Sequence, residues 1–228
     1  DNLGVRVANL EKKADNVKVT GEVRYKYMSK DVDGENGNDS NHENDLRSRI
    51  WVTGQVNDDW SYTGMIENTQ DFDNNNGDED TSFQRAYVEG KIGGLNVTAG
   101  RYNAFFANGN IYDARVDGAE VSYGDKVKVT GFVGKASDGL TLGDDWEGGN
   151  YAGGELSANF DKLNVAAGYV NFKDIAEDAI TEGLDDAIWY VGADYTMGDV
   201  NLSAMYLKGD ASFKDVDLDK FVDYDDDG

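Results

Sequence analysis

From Val17 onward the chain alternates. Val17, Val19, Gly21, Val23, Tyr25 and Tyr27 are apolar or small, while Lys18, Thr20, Glu22, Arg24 and Lys26 between them are polar or charged. Successive side chains of a β-strand point to opposite faces, so a period of two predicts a strand with one apolar and one charged face. The same period returns in Leu46–Val56, Trp60–Ile66, Ala86–Ile92, Leu95–Tyr102, Ala119–Tyr123 and Val127–Val133. It continues in Ala152–Phe160, Leu163–Tyr169, Trp189–Tyr195 and Val200–Tyr206, giving about eleven strands in all. The pair flanking Gly93-Gly94 is the clearest. A two-residue turn sets its neighbours opposite each other and on one face, and Ile92 and Leu95 meet that requirement.

The connections alternate as strictly as the strands. Asn57-Asp58-Asp59, Gly93-Gly94, Gly124-Asp125-Lys126, Asp161-Lys162 and Thr196–Asp199 are short turns. Between them lie long segments rich in Asp, Asn and Gly, predicted as loops: Asp31–Asp45, Asp71–Asp80, the stretch up to Asn150, and Lys173–Asp186 with room for a helical turn. Asn103–Asp117 is the exception, being neither cleanly alternating nor acidic like the rest.

Alternation alone does not choose a solvent, because a soluble sandwich also has two-faced strands. Three features point to a bilayer. The strands run to roughly ten residues, the length that crosses a membrane at a tilt. Short and long connections take opposite ends, as in outer-membrane barrels. Aromatic residues on the apolar parity sit at strand ends: Trp60, Tyr123, Phe160 and Tyr195 beside short turns, Tyr25, Tyr27, Tyr169 and Tyr206 beside long loops. Two such rows are what a girdle at each interface requires. The opposite parity carries charges too dense to be packed dry, which implies water on that side. The fold class expected is therefore all-β, a transmembrane antiparallel β-barrel. An odd strand count leaves open edges in lipid, so residues 17–228 are expected to form an incomplete part of a longer barrel.

Composition narrows the chemistry. The 228 residues include no Cys, no Pro and one His, with a net charge of −24. That charge argues against nucleic-acid binding, which requires basic patches. The absence of Pro suits continuous sheet. No run of about 18 apolar residues exists to form a membrane helix. With His42 alone in an acidic loop and no phosphate-cradling motif, an enzyme is not expected. No cofactor is expected beyond loosely bound Ca²⁺ or Mg²⁺ at acidic loops, for which Asp71, Asp73 and Asn75 are weak candidates lacking the EF-hand spacing.

Residues 1–16 read differently. Leu3, Val7, Leu10 and Ala14 step by four, three and four, the seam spacing of a coiled coil, and are expected to end a periplasmic stalk. A short amphipathic helix is the plainer alternative.

On the polar parity, Arg24, Arg47, Arg49 and Arg85 come from successive strands and would set the field inside an aqueous channel. The alternative is salt bridging to Glu22, Glu67 and Glu89. With the fifth strand closing on Gly100-Arg101-Tyr102, the chain resembles the N-terminal part of a trimeric general porin. The helical segment before Val17 makes it most similar to the porins of diderm Firmicutes, which join a periplasmic S-layer homology domain to the barrel through a coiled coil. The resemblance implies a sixteen-stranded barrel, a homotrimer, contact with outer-membrane lipid and lipopolysaccharide, and a tether to peptidoglycan or another cell-wall polymer. It also implies that Asn103–Asp117 is a constriction loop, carrying Asn103, Phe105, Phe106, Asn110, Asp113, Arg115 and Asp117 opposite the basic wall. The function expected is passive diffusion of small hydrophilic solutes. A structural anchor or adhesin barrel with little transport, and a soluble all-β binding domain, are the competing readings.

Overall fold

The computed structural model describes residues 16–34, 37–72, 79–136, 149–173 and 184–213. Eleven strands lie in one antiparallel sheet in the order of the sequence: β1 (Val17–Gly34), β2 (Gly37–Gln55), β3 (Trp60–Asp71), β4 (Glu79–Ile92), β5 (Leu95–Phe106), β6 (Tyr112–Tyr123), β7 (Val127–Ala136), β8 (Asn150–Phe160), β9 (Leu163–Lys173), β10 (Leu184–Met197) and β11 (Val200–Phe213). The chain divides into two compact units within β4, at Glu89 and Gly90.

In the first unit, Glu22 stands opposite Arg49, and Arg49 opposite Glu67, while Arg24 stands opposite Arg47. This register puts every charged residue from Lys18 to Lys30 of β1, from Glu43 to Arg49 of β2, and of β3 on one face. The other face presents Val19, Val23, Tyr25 and Ile50, all exposed, with Val23 69% accessible. Trp60 opens β3 on that same apolar parity and is half-buried. Strand β1 runs through Asp31 to Gly34, and β2 starts at Gly37, so Ser29–Gly34 pairs with Gly37–His42. The expected acidic loop is thus the outer part of a hairpin. Asp and Asn are poor strand formers, but a ladder already in register extends outward at the cost of one paired residue at a time, and context overrides that preference. His42 accordingly lies on β2, exposed and opposite Ser29, not in a loop.

In the second unit, Gly93 and Gly94 make the predicted turn with φ of 54° and 88°, the left-handed pair that a tight hairpin demands. From β5 to β11 one face is an exposed apolar band, including Val129, Val133, Leu156, Val191 and Leu202. Tyr123, Phe160 and Tyr195 border it beside the short turns, and Tyr169 and Trp189 meet at a tilt at the other end with ring centres 4.5 Å apart. The band has a sharp edge. One pair of residues beyond Ala99 and Ala119, the Arg101 guanidinium makes a two-pronged bond to Asp117, at 2.6 and 2.7 Å.

The buried residues lie on the opposite face. Tyr102, Phe106, Tyr112, Val116, Phe132, Tyr151, Val170, Phe172 and Tyr190 are all less than 7% accessible. The face that was expected to be uniformly wet therefore holds an aromatic layer.

Residues 1–15, most of the predicted stalk, lie outside the described residues. The carbonyl of Asn16 accepts a hydrogen bond from the Gln55 amide at 3.0 Å. Asp73 and Asn75 also lie outside them; Asp71 ends β3 and is exposed. Among the described residues no cluster of His, Cys, Asp or Glu could hold a metal.

Candidate functional site: an inward hairpin and a charged row

The segment Asn103–Asp117, which the sequence pattern gave no strand, is a hairpin. Pairing of β5 with β6 continues from Arg101–Asp117 through Tyr102–Val116 and Ala104–Ala114 to Phe106–Tyr112. Pairing of β6 with β7 stops at Val116–Ala136. Beyond that pair β6 is free of β7, and the far half of the hairpin lies over the face of β7–β11. The ring of Phe106 stacks on Phe132 at 4.3 Å, and Tyr112 meets Phe172 at 6.1 Å. At the tip, Asn108 Nδ2 donates to Asp194 Oδ2 on β10 at 3.2 Å, and Asn110 Nδ2 lies 3.5 Å from Met205 Sδ on β11. Ala107, Asn108 and Gly109 turn the chain with φ of 53°, 52° and 79°. Gly and Asn adopt this left-handed conformation readily, whereas Ala107 is held there by its burial.

Alternation is hidden here because both sides of the hairpin end carry large rings. Phe106 and Tyr112 face the sheet and are buried, whereas Phe105, 58% accessible, takes the other side with Asn103 and Asp113. Asn103 Nδ2 donates to Asp113 Oδ1 at 2.6 Å. Of the seven expected constriction residues, Phe106 thus faces the sheet and Asn110 is at the tip. Asn103, Phe105, Asp113, Arg115 and Asp117 share the opposite parity, and Asp117 is the ion-pair partner of Arg101 at the base.

The aromatic layer rests on glycines. Tyr151 lies across Gly118 and Gly134, Phe132 over Gly153 and Tyr190 over Gly168. Gly118 and Gly134 face each other between β6 and β7, so together they open a trough one ring wide. This is the arrangement in which a neighbouring aromatic covers backbone that glycine leaves bare. Tyr190 Oη donates to Glu155 Oε2 at 2.6 Å. The sequence carried a signal for this layer: Phe132, Tyr151, Phe172 and Tyr190 all stand on the parity opposite the apolar band.

In the first unit the arginines are joined by carboxylates. Arg49 Nε is 2.5 Å from Glu67 Oε2, Arg47 reaches Glu22 at 3.2 Å, and longer contacts of 3.8 Å link Arg47 to Glu67 and Arg49 to Glu22. Lys26 pairs with Glu43 farther along the same face. Arg24 stands directly across from Arg47. Arg85 on β4 donates to the Gln84 carbonyl at 2.7 Å. The structure brings Arg47 and Arg49 together with Glu22 and Glu67.

No protein-family model and no curated protein matches the chain. Solved structures do. A loop-deletion form of OmpT, an outer-membrane protein of Vibrio cholerae, aligns with a TM-score of 0.55 over 88% of this chain and 72% of its own, at 16% identity. In-vitro folded OmpT from the same organism aligns at 0.52, over 86% and 65%, also at 16% identity. The fold is that of an outer-membrane β-barrel protein. A Salmonella typhi OmpF aligns at 0.49 over 88% and 67%. The strap formed by residues 103–115 lies on the side opposite the exposed apolar band and its bordering rings.

Proposed function

We propose that this chain lines a water-filled diffusion channel for small hydrophilic solutes in the bacterial outer membrane. One observation carries the reading: the β5–β6 hairpin crosses the face opposite the apolar band and is held at its tip against β10 and β11. A hairpin laid across the inner wall narrows an aqueous path without blocking lipid contact outside. Its free side, with Asn103, Asp113 and Arg115, would line the narrowing, and Arg24, Arg47, Arg49 and Arg85 would supply positive field along the wall. Assembly as a homotrimer, contact with lipopolysaccharide, and tethering to cell-wall polymer through residues 1–16 belong to the same proposal and rest on the family resemblance.

Single-channel recording in planar bilayers tests it. The wild type should give stable conductance steps, and replacing Arg47 and Arg49 by Gln should move the reversal potential toward cation preference. An unchanged reversal potential would remove both residues from the pore-lining set. The aromatic layer beneath the strap favours a second reading, a barrel filled by its own side chains that serves as an anchor. That reading expects no conductance steps at all.

A further inference from the structure

Phe105 is out of place for a large apolar side chain. Among the described residues of the second unit, the exposed large apolar side chains lie on the apolar band, with Leu207 and Phe105 as the exceptions. Phe105 is the more open of the two, 58% accessible against 37%. It stands on the free side of the strap, and its ring is seated there. A Cβ added at Gly109 would lie 2.9 Å from Phe105 Cε2 and 3.6 Å from Asp113 Cβ, so the ring and the carboxylate stem flank one patch of bare backbone. Phe105 pairs across the hairpin with Asp113, and Asn103 with Arg115, which brings all four to one side. Asp113 Oδ1 accepts the bond from Asn103, and its Oδ2 has no hydrogen-bond partner among the described residues. One carboxylate and one guanidinium leave this side without net charge, and the Arg101–Asp117 pair at its base is balanced as well.

We infer that the free side of the strap is a subsite for a pyranose sugar, which lays its apolar face on the Phe105 ring and donates a hydroxyl to Asp113 Oδ2. The face of an aromatic ring is electron-rich and attracts the C–H bonds that a pyranose presents on one of its faces. A carboxylate only accepts hydrogen bonds, so it suits the hydroxyls around the rim of the sugar. A side without net charge gives neither a cation nor an anion the advantage. Ring and carboxylate together ask for a flat C–H face bordered by hydroxyls. An acyclic polyol lacks the face, and a simple aromatic lacks the border. The inference rests on the proposed channel for the access of solute to this side, but binding can be read without any transport.

The test is saturation-transfer NMR on the full chain, folded in a detergent that carries no sugar headgroup, with methyl β-glucoside, mannitol and phenol as probes. The glucoside should bind saturably, and mannitol and phenol about tenfold more weakly or worse. Phe105→Leu, which keeps an apolar side chain on the strap, and Phe105→Ala should each weaken the glucoside about tenfold. Phe105→Trp, which keeps an aromatic face, should hold it within about threefold, and Asp113→Ala should weaken it by about threefold or more. No saturable glucoside binding by the wild type, equal binding by Phe105→Leu, or mannitol or phenol binding as well as the glucoside overturns the subsite. Liposome swelling with the glucoside reports separately on the channel: swelling without saturable binding sinks the subsite alone, and binding without swelling sinks the channel alone.

Discussion

At the scale of single residues, each ring of the layer sits where glycine leaves room for it. A Cβ added at Gly118 would stand 2.5 Å from both the Tyr151 hydroxyl and the Val133 carbonyl. The ring could shift but the carbonyl belongs to a paired strand, so Gly118→Ala should cost about 1–3 kcal/mol in unfolding experiments in detergent. Gly131, on the apolar band, has nothing within 4 Å of such a Cβ. Gly131→Ala should therefore leave stability within about 0.5 kcal/mol of wild type. Equal effects at the two positions would mean that Tyr151 does not lie in the trough. The charged row works differently. Individual half-exposed ion pairs contribute at most about 1 kcal/mol each, so Glu22 and Glu67 matter for where the arginines are held more than for stability.

At the scale of elements, the strap is a hairpin that has outgrown its sheet. Its placement can be checked without function, because the chain has no Cys of its own. Asn108→Cys with Asp194→Cys should be joined by a short bifunctional thiol reagent in the folded protein, seen as a mobility shift that neither single variant shows. Failure to join would place the tip elsewhere. The strands themselves were legible in the sequence wherever one face is greasy and the other charged, as in Val17–Tyr27, and so were the turns at Gly93-Gly94 and Asp161-Lys162. The strap was not, because Phe105 and Phe106 are adjacent rings on opposite faces and erase the period. The outer part of the β1–β2 hairpin was hidden for another reason: its residues are typical of loops, and only the ladder below them makes them strand. Asn108 and Asp194 were both visible as polar residues, but no local pattern could join positions 86 residues apart.

At the scale of the whole molecule, one band decides the solvent. Depth within it should be measurable as energy. An Arg at the midplane of a membrane sheet costs about 2–4 kcal/mol, falling to about 0–1 near the interface. Leu156→Arg, midway along the apolar band of β8, should thus destabilise the protein in liposomes by about 2–4 kcal/mol, and Phe160→Arg at the border of the band on the same strand by much less. If both substitutions cost the same, this face does not lie in lipid. The net charge of −24 does not conflict with membrane insertion, since among the described residues acids such as Glu22, Glu67, Glu155 and Asp194 stand on the face opposite the band and Asp117 lies beyond its edge.

The long reach of the strap also sets an order of events. Most contacts in the sheet join strands adjacent in sequence, so each hairpin closes a short loop and forms early. The bonds from Asn108 to Asp194 and from Asn110 to Met205 span 86 and 95 residues. They cannot form until β10 and β11 have joined the sheet. The strap can therefore settle on β7 early, but its tip is fixed only once the two far strands are in place.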